Sequence, residues 1–216
     1  MESTTELIEL YLREKAAIAS SFPVDDLVRL VEAVCDAYEH DGSVYTFANG
    51  GPAGIAENFA TDLTMHPFVS DDKSQACDIR RIRVHCLNES PGVLTAVAND
   101  IGYESIFAEQ LKNYLRNPDV NGHDVVLGFS GSGNSANVLN AFEYAKQFGV
   151  TTACVAGRGG GKARELADIC VIVPGSSRFP GQTGANDNNF HIEDFQCSIT
   201  HIITGILKDR VMHQYG

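Results

Sequence analysis

The sequence predicts an α/β fold built on a five-stranded, mainly parallel sheet with helices on both faces, and three observations carry that prediction. Five short apolar runs lie at 44–48, 82–87, 125–129, 152–156 and 169–173. Segments with a helical apolar period separate them, and strands alternating with helices are the pattern of a parallel sheet with crossover helices. Two further helical segments precede the first run.

Taken in order, residues 4–20 place Leu7, Ile8, Leu10 and Tyr11 at helical spacing, and 23–40 place Leu27, Leu30, Val31 and Val34 likewise, with Pro23 suited to a first helical turn. After His40-Asp41-Gly42-Ser43 the period changes and the first strand begins. Helices are expected over 53–65, 91–115, 134–148 and 162–167, with a last one near 190–213. The polar stretches 70–78 and 175–189 read as loops. The second is long enough to serve as a lid or binding loop, and equally suits a mobile loop. One domain is expected over 1–216, a helical preface at 1–41 followed by the sheet core at 42–216.

Charge and cysteine usage narrow the partners. Twenty-eight acidic against sixteen basic residues leave a net charge of -12 with no basic patch, which excludes nucleic acid and anionic membrane surfaces as partners. No apolar run approaches the roughly 18 residues of a membrane span, and the first residues lack the pattern of a signal peptide, so a cytoplasmic protein is expected. Six cysteines are scattered without a Cys-x-x-Cys pair, in keeping with a reducing compartment and against a structural zinc site.

The chemistry is most legible in Leu127-Gly128-Phe129-Ser130-Gly131-Ser132-Gly133-Asn134-Ser135, where an apolar strand runs into small hydroxyl and glycine residues. The helix that follows carries Val138, Leu139, Phe142, Ala145 and Phe148 on one stripe. Glycines let backbone N–H groups approach a phosphate, serines add donors, and the positive end of the new helix completes an anion site without a lysine. Spacing alone also fits a helix cap and turn; the position at a strand's carboxyl end favours the phosphate reading. Asn49-Gly50-Gly51-Pro52 joins a strand to a helix too, as a tight turn or a ligand contact. Gly157-Arg158-Gly159-Gly160-Gly161-Lys162 lacks the glycine offset and the Ser/Thr of a nucleotide P-loop and reads as a turn, so no nucleotide is expected.

Asn49-Gly50-Gly51, then Asn99-Asp100-x-Gly102-Tyr103-x-x-x-Phe107, then the serine loop continuing to Asn137-Val138, resemble the sugar isomerase (SIS) family in its phosphoheptose isomerase branch, over about 42–213. The resemblance implies a three-layer SIS fold, a homotetramer with active sites shared between subunits, and a phosphorylated sugar as ligand. It puts Asn49, Gly50, Gly51, Asn99, Asp100, Ser130, Gly131, Ser132, Asn134 and Ser135 on substrate-contacting positions. Asp62, Glu193 and His201 fall on its catalytic and metal-ligand positions. Where the family has His-Phe-Ala-x-Glu (or Asp), this chain has Asn58-Phe59-Ala60-Thr61-Asp62, so a histidine ligand is replaced by Asn58. Gln196 stands at another common histidine, Pro52 at a usual serine and Gly131 at a common threonine.

Aldose–ketose isomerisation through an enediol needs a base beside the substrate carbon and an acid beside the carbonyl oxygen. The expectation is Asp62 or Glu193 as base and His201 as acid, with zinc, if bound, on Asp62, Glu193 and His201. The expected activity is that of a phosphorylated-heptose isomerase acting on a sugar such as sedoheptulose 7-phosphate. The alternatives are a non-catalytic sugar-phosphate-binding module and an isomerase for another sugar phosphate.

Overall fold

The computed structural model describes residues 2–215. Helix α1 (Thr4–Ser20) opens on a reciprocal cap: the Glu6 N–H donates to Ser3 Oγ at 3.2 Å, and the Ser3 N–H donates to Glu6 Oε2 at 2.7 Å. Helix α2 (Val24–Glu39) follows and buries Leu27, Leu30, Val31 and Val34 along one stripe. The strands are β1 (Ser43–Ala48), β2 (Arg83–Cys86), β3 (Val125–Ser130), β4 (Thr151–Ala156) and β5 (Ile169–Ile172). All pair in parallel, in the order β2-β1-β3-β4-β5.

Both faces of the sheet are covered, because successive side chains of a strand point to opposite sides. Val44, Ala48, Leu127, Phe129 and Val155 face a core shared with α2, α3 (Gly51–Met65) and α9 (Asn189–Tyr215). Tyr45, Phe47, Val126, Cys154 and Ala156 face a second core shared with α7 (Ala136–Lys146) and the segment around Phe107 and Leu111. These are the three layers expected, and β1 and β3 are buried at every position. Among the described residues no helix is long and apolar enough to cross a membrane.

Three elements differ from the sequence reading. The single helix expected over 91–115 breaks into α4 (Pro91–Asp100), a 3-10 turn at Tyr103–Ser105 and α5 (Ala108–Leu111). Gly102 stops α4 with φ +142, a value outside the helical region, while its N–H still bonds the Val97 carbonyl at 3.0 Å. The short helix α6 (Pro118–Asn121) was not expected; Pro118 starts it and the Asn117 side chain caps it through the Val120 N–H at 3.0 Å. Helix α7 starts at Ala136 rather than 134, since Ser135 takes the extended N-cap conformation. Helix α8 (Ala163–Leu166) lies between β4 and β5.

Candidate active site

In the order β2-β1-β3-β4-β5 the chain winds one way from β1 and the other way from β3, so the crevice between their carboxyl ends is the topological switch point. Both strands deliver a helix there. Helix α3 has Gly50 as N-cap and α7 has Ser135, and neither first turn receives a side-chain cap. Two helix N-termini with unsatisfied N–H groups therefore flank one crevice, an arrangement that attracts an anion.

The serine loop is held from behind. Ser130 is buried; its Oγ accepts the Gly133 N–H at 3.1 Å and lies 3.4 Å from Ser135 Oγ. Ser132 Oγ accepts the Asn134 N–H at 3.2 Å, and Asn134 Oδ1 accepts the Lys162 N–H at 3.0 Å. The Ala163 N–H donates to the Gly133 carbonyl at 2.9 Å, so the glycine-rich segment after β4, read from sequence as a turn, buttresses the loop. Ser132 and Ser135 remain partly exposed. Across the crevice Asn49 and Asn137 exchange paired amide hydrogen bonds, each 2.8 Å, and Tyr103 Oη donates to Asn49 Oδ1 at 2.9 Å. Asn137 and Tyr103 were not singled out by the sequence reading as site residues, although both lie in its motifs; only the fold shows that they lock Asn49. Asn99 and Asp100 end α4, both exposed, with Asn99 Nδ2 donating to Asp100 Oδ1 at 2.7 Å.

The acid–base candidates divide into two groups. Glu193 stands at the start of α9: its Oε1 accepts from Asn189 Nδ2 at 2.7 Å, and a Cβ built on Gly51 would lie 2.7 Å from its Oε2. Glu193 is thus placed beside the first turn of α3. Asp62 lies eleven residues along α3, and His201 eight residues along α9, which at about 1.5 Å per residue sets them roughly 12–16 Å farther down the paired helices. There Asp62 Oδ2 accepts from Asn58 Nδ2 at 3.0 Å and lies 3.7 Å from His201 Nε2, while Asp62 Oδ1 lies 3.4 Å from His66 Nε2. Asn58, Asp62, His66 and His201 line a cavity of about 370 Å³ with Thr204, Gly205 and Lys208. His66 had no pattern in the sequence to mark it; its i,i+4 relation to Asp62 is visible only once α3 is known to continue into a 3-10 turn at His66–Phe68. Gln196 is buried, with Nε2 donating to the Val155 carbonyl at 3.0 Å, a packing role.

Asp62, Glu193 and His201 do not share one coordination sphere within a chain, and Asn58 turns its amide N–H toward the carboxylate that a cation would need. Within one chain they do not fit a single zinc ion. Among the described residues, the group whose three ligand atoms lie within 4.8 Å of one another is Asp36, His40 and His123, exposed and on other elements.

The loop after β5 is tethered rather than free. Glu14 of α1 accepts from Ser177 Oγ at 2.7 Å and the Arg178 N–H at 2.8 Å, and its Oε2 lies 3.2 Å from Nε2 of the buried His191. Burial pushes the Glu14 carboxyl up, but the bonds from Arg178, Ser177 and His191 outweigh it and hold it below its ordinary value. Tyr11 donates to Asp194 Oδ2 at 2.8 Å, so α1 also fastens the start of the helix that carries Glu193. Burial, and next Asp194, push the Tyr11 hydroxyl up.

Residues 11–157 match the SIS domain family. The phosphoheptose isomerase of Helicobacter pylori strain HPAG1 is 33% identical over 180 residues, 83% of this chain and 81% of that protein. That of strain P12 is 32% identical over 206 residues, 94% of this chain and 95% of that protein. The solved structure of phosphoheptose isomerase from Neisseria gonorrhoeae has the same fold, with a TM-score of 0.77 at 23% identity over 96% of this chain and 100% of that one. The switch-point crevice, the serine loop and these likenesses agree: the chain belongs to the SIS domain family, in its phosphoheptose isomerase branch.

Proposed function

We propose that this chain is a sugar-phosphate isomerase that interconverts the ketose and aldose forms of a phosphorylated heptose, such as sedoheptulose 7-phosphate, through an enediol. The observation that carries this reading is the serine loop, whose uncapped helix N-terminus lies at the switch point of a chain of this family. Ser130, Ser132 and Ser135 and the first N–H groups of α7 take the phosphate; Asn49 and the N-terminus of α3 take the sugar chain. Asp62 removes the proton from the carbon next to the carbonyl, and His201 protonates the carbonyl oxygen, giving a neutral enediol. Asp62 then delivers its proton to the former carbonyl carbon while His201 takes the proton from the hydroxyl on the adjacent carbon, which yields the aldose and restores both groups.

The test is proton exchange in D₂O, with sedoheptulose 7-phosphate followed by NMR. Deuterium at the carbon beside the carbonyl together with aldose product is the expected result. Saturable binding without exchange or product would sink the enzyme reading in favour of a sugar-phosphate-binding module, and exchange on another sugar phosphate alone would replace the substrate.

The separation of Asp62 and His201 from the serine loop supports a further part of this reading, that the working site is completed between copies of the chain in a homotetramer. Ile202 and Ile206, beside His201 on α9, and Val24 and Val28 on α2 are exposed and apolar, a surface suited to cover by a second copy. Subunits carrying Ser132→Ala with Ser135→Ala and subunits carrying His201→Ala are each expected to be inactive alone. On mixing under exchange conditions, activity is expected to return to roughly a quarter of wild type or less, as whole sites form from two half-defective copies. Mixed oligomers without regained activity would place the complete site in one chain.

A further inference from the structure

We propose that Arg158 serves the serine loop as its cation and, through Asn189, positions Glu193; this rests on the phosphate reading of that loop. No basic residue occurs in 130–135, and the chain as a whole carries a net charge of -12. A phosphate dianion entering that field is held more tightly where a fixed positive charge adds to the helix N-termini beside its site. Arg158 is placed there. Its Nε donates to the Gly131 carbonyl at 3.2 Å, its Nη2 to Asn189 Oδ1 at 3.1 Å, and its Nη1 to the Ala185 carbonyl.

Two further observations show that this placement is built in. A Cβ at residue 131 would lie 2.7 Å from Arg158 Nη2 and 2.9 Å from Asn189 Oδ1, so the guanidinium fills the space a side chain on the loop would take. Arg158 itself holds φ +50, a left-handed conformation uncommon for residues other than glycine, asparagine and aspartate. Three hydrogen bonds to three separate segments enforce it, and strained residues of this kind gather at ligand sites.

The link to Glu193 follows from the donor inventory. An arginine only donates and a carboxylate only accepts, so the Asn189 amide between them has one arrangement that satisfies both. Its Oδ1 faces Arg158 and its Nδ2 faces Glu193 Oε1, at 2.7 Å. One guanidinium thereby ties the loop that takes the phosphate to the carboxylate that stands over Gly51. Glu193 is fixed relative to the bound phosphate rather than free to swing on α9.

The test uses the full chain, inorganic phosphate as the binding probe by calorimetry, and turnover of sedoheptulose 7-phosphate. Arg158→Gly suits φ +50 without strain, Arg158→Lys keeps the charge without the fork, and Asn189→Ala removes the link to Glu193 while leaving Arg158 its bonds to the Gly131 and Ala185 carbonyls. Arg158→Gly is expected to weaken phosphate about tenfold and to lower kcat, the loss of one charge-assisted contact. Arg158→Lys is expected to recover phosphate affinity to within about threefold while kcat stays low, because an ammonium supplies charge but not the paired geometry. Asn189→Ala is expected to lower kcat several-fold with phosphate affinity unchanged. Phosphate bound by Arg158→Gly as by the wild type overturns the proposal, and so does an equal loss of affinity and kcat in all three variants, which is the signature of a structural role alone. A wild type that binds no phosphate removes the loop reading and this proposal with it. A wild type that binds phosphate but turns over no sugar removes the isomerase reading, and the phosphate affinities then decide the proposal by themselves.

Discussion

Gly133→Ala is expected to lower stability by about 3 kcal/mol and to abolish phosphate binding. Gly133 has φ +65, which costs a residue with a Cβ roughly 1 kcal/mol or more. The Cβ itself would lie 1.9 Å from the Gly160 carbonyl oxygen and 2.5 Å from its carbon. That neighbour is backbone, held because the Ala163 N–H bonds the Gly133 carbonyl and the Lys162 N–H bonds Asn134, so it cannot swing aside as a side chain would. Overpacking against rigid structure adds about 1–3 kcal/mol. For a chain of this length that predicts a melting temperature lower by roughly 6–12 °C. Thermal melting with a phosphate titration on the same sample checks it, and a variant melting within about 2 °C of the wild type with phosphate affinity intact would show that the two loops are not in the contact described.

Asp62→Asn is expected to lower the deuterium-exchange rate by about 10²- to 10⁴-fold while leaving phosphate affinity within about twofold, the range for removing a general base that does not touch the phosphate. The substitution keeps the shape of the side chain and one oxygen to accept from Asn58, so the cavity it shares with His66 and His201 persists and the loss reports chemistry. Glu193→Gln keeps an oxygen for the Asn189 amide and is expected to cost less than about tenfold. Single-turnover exchange by NMR separates the two. A large loss in Glu193→Gln with a small one in Asp62→Asn would transfer the role of base to Glu193.

The sheet was legible because its central strands β1, β3 and β4 are buried on both faces and so read as continuous apolar runs; all five strands fall within one or two residues of their expected bounds. The helix expected over 91–115 was misread because its apolar pattern continues through a glycine whose backbone conformation the pattern does not encode. Residues 101–105 keep helical spacing, yet Gly102 at φ +142 turns the chain so that Tyr103 meets Asn49. The serine loop was legible from its residues, since hydroxyls and glycines between a strand and a helix admit few structures. Its support from the segment around Gly160 was not, because a run of glycines says that the chain can turn and not what it turns against.

The sequence by itself determined the layered α/β fold, the five strands, the serine-rich turn between β3 and α7 and the acidic, basic and amide residues from which a site is assembled. Tertiary structure alone decided which of those residues meet. Glu193 and His201 look like partners eight residues apart on one helix, yet the rise of that helix separates them, and packing against α3 gives each a different neighbour. Arg158, Asn189 and His66 acquire their places only through contacts between segments distant in the chain or across a helix end. The physical reason is that burial and backbone pairing leave a periodic trace along the chain, whereas a hydrogen bond between side chains of different elements depends on how those elements dock and leaves none.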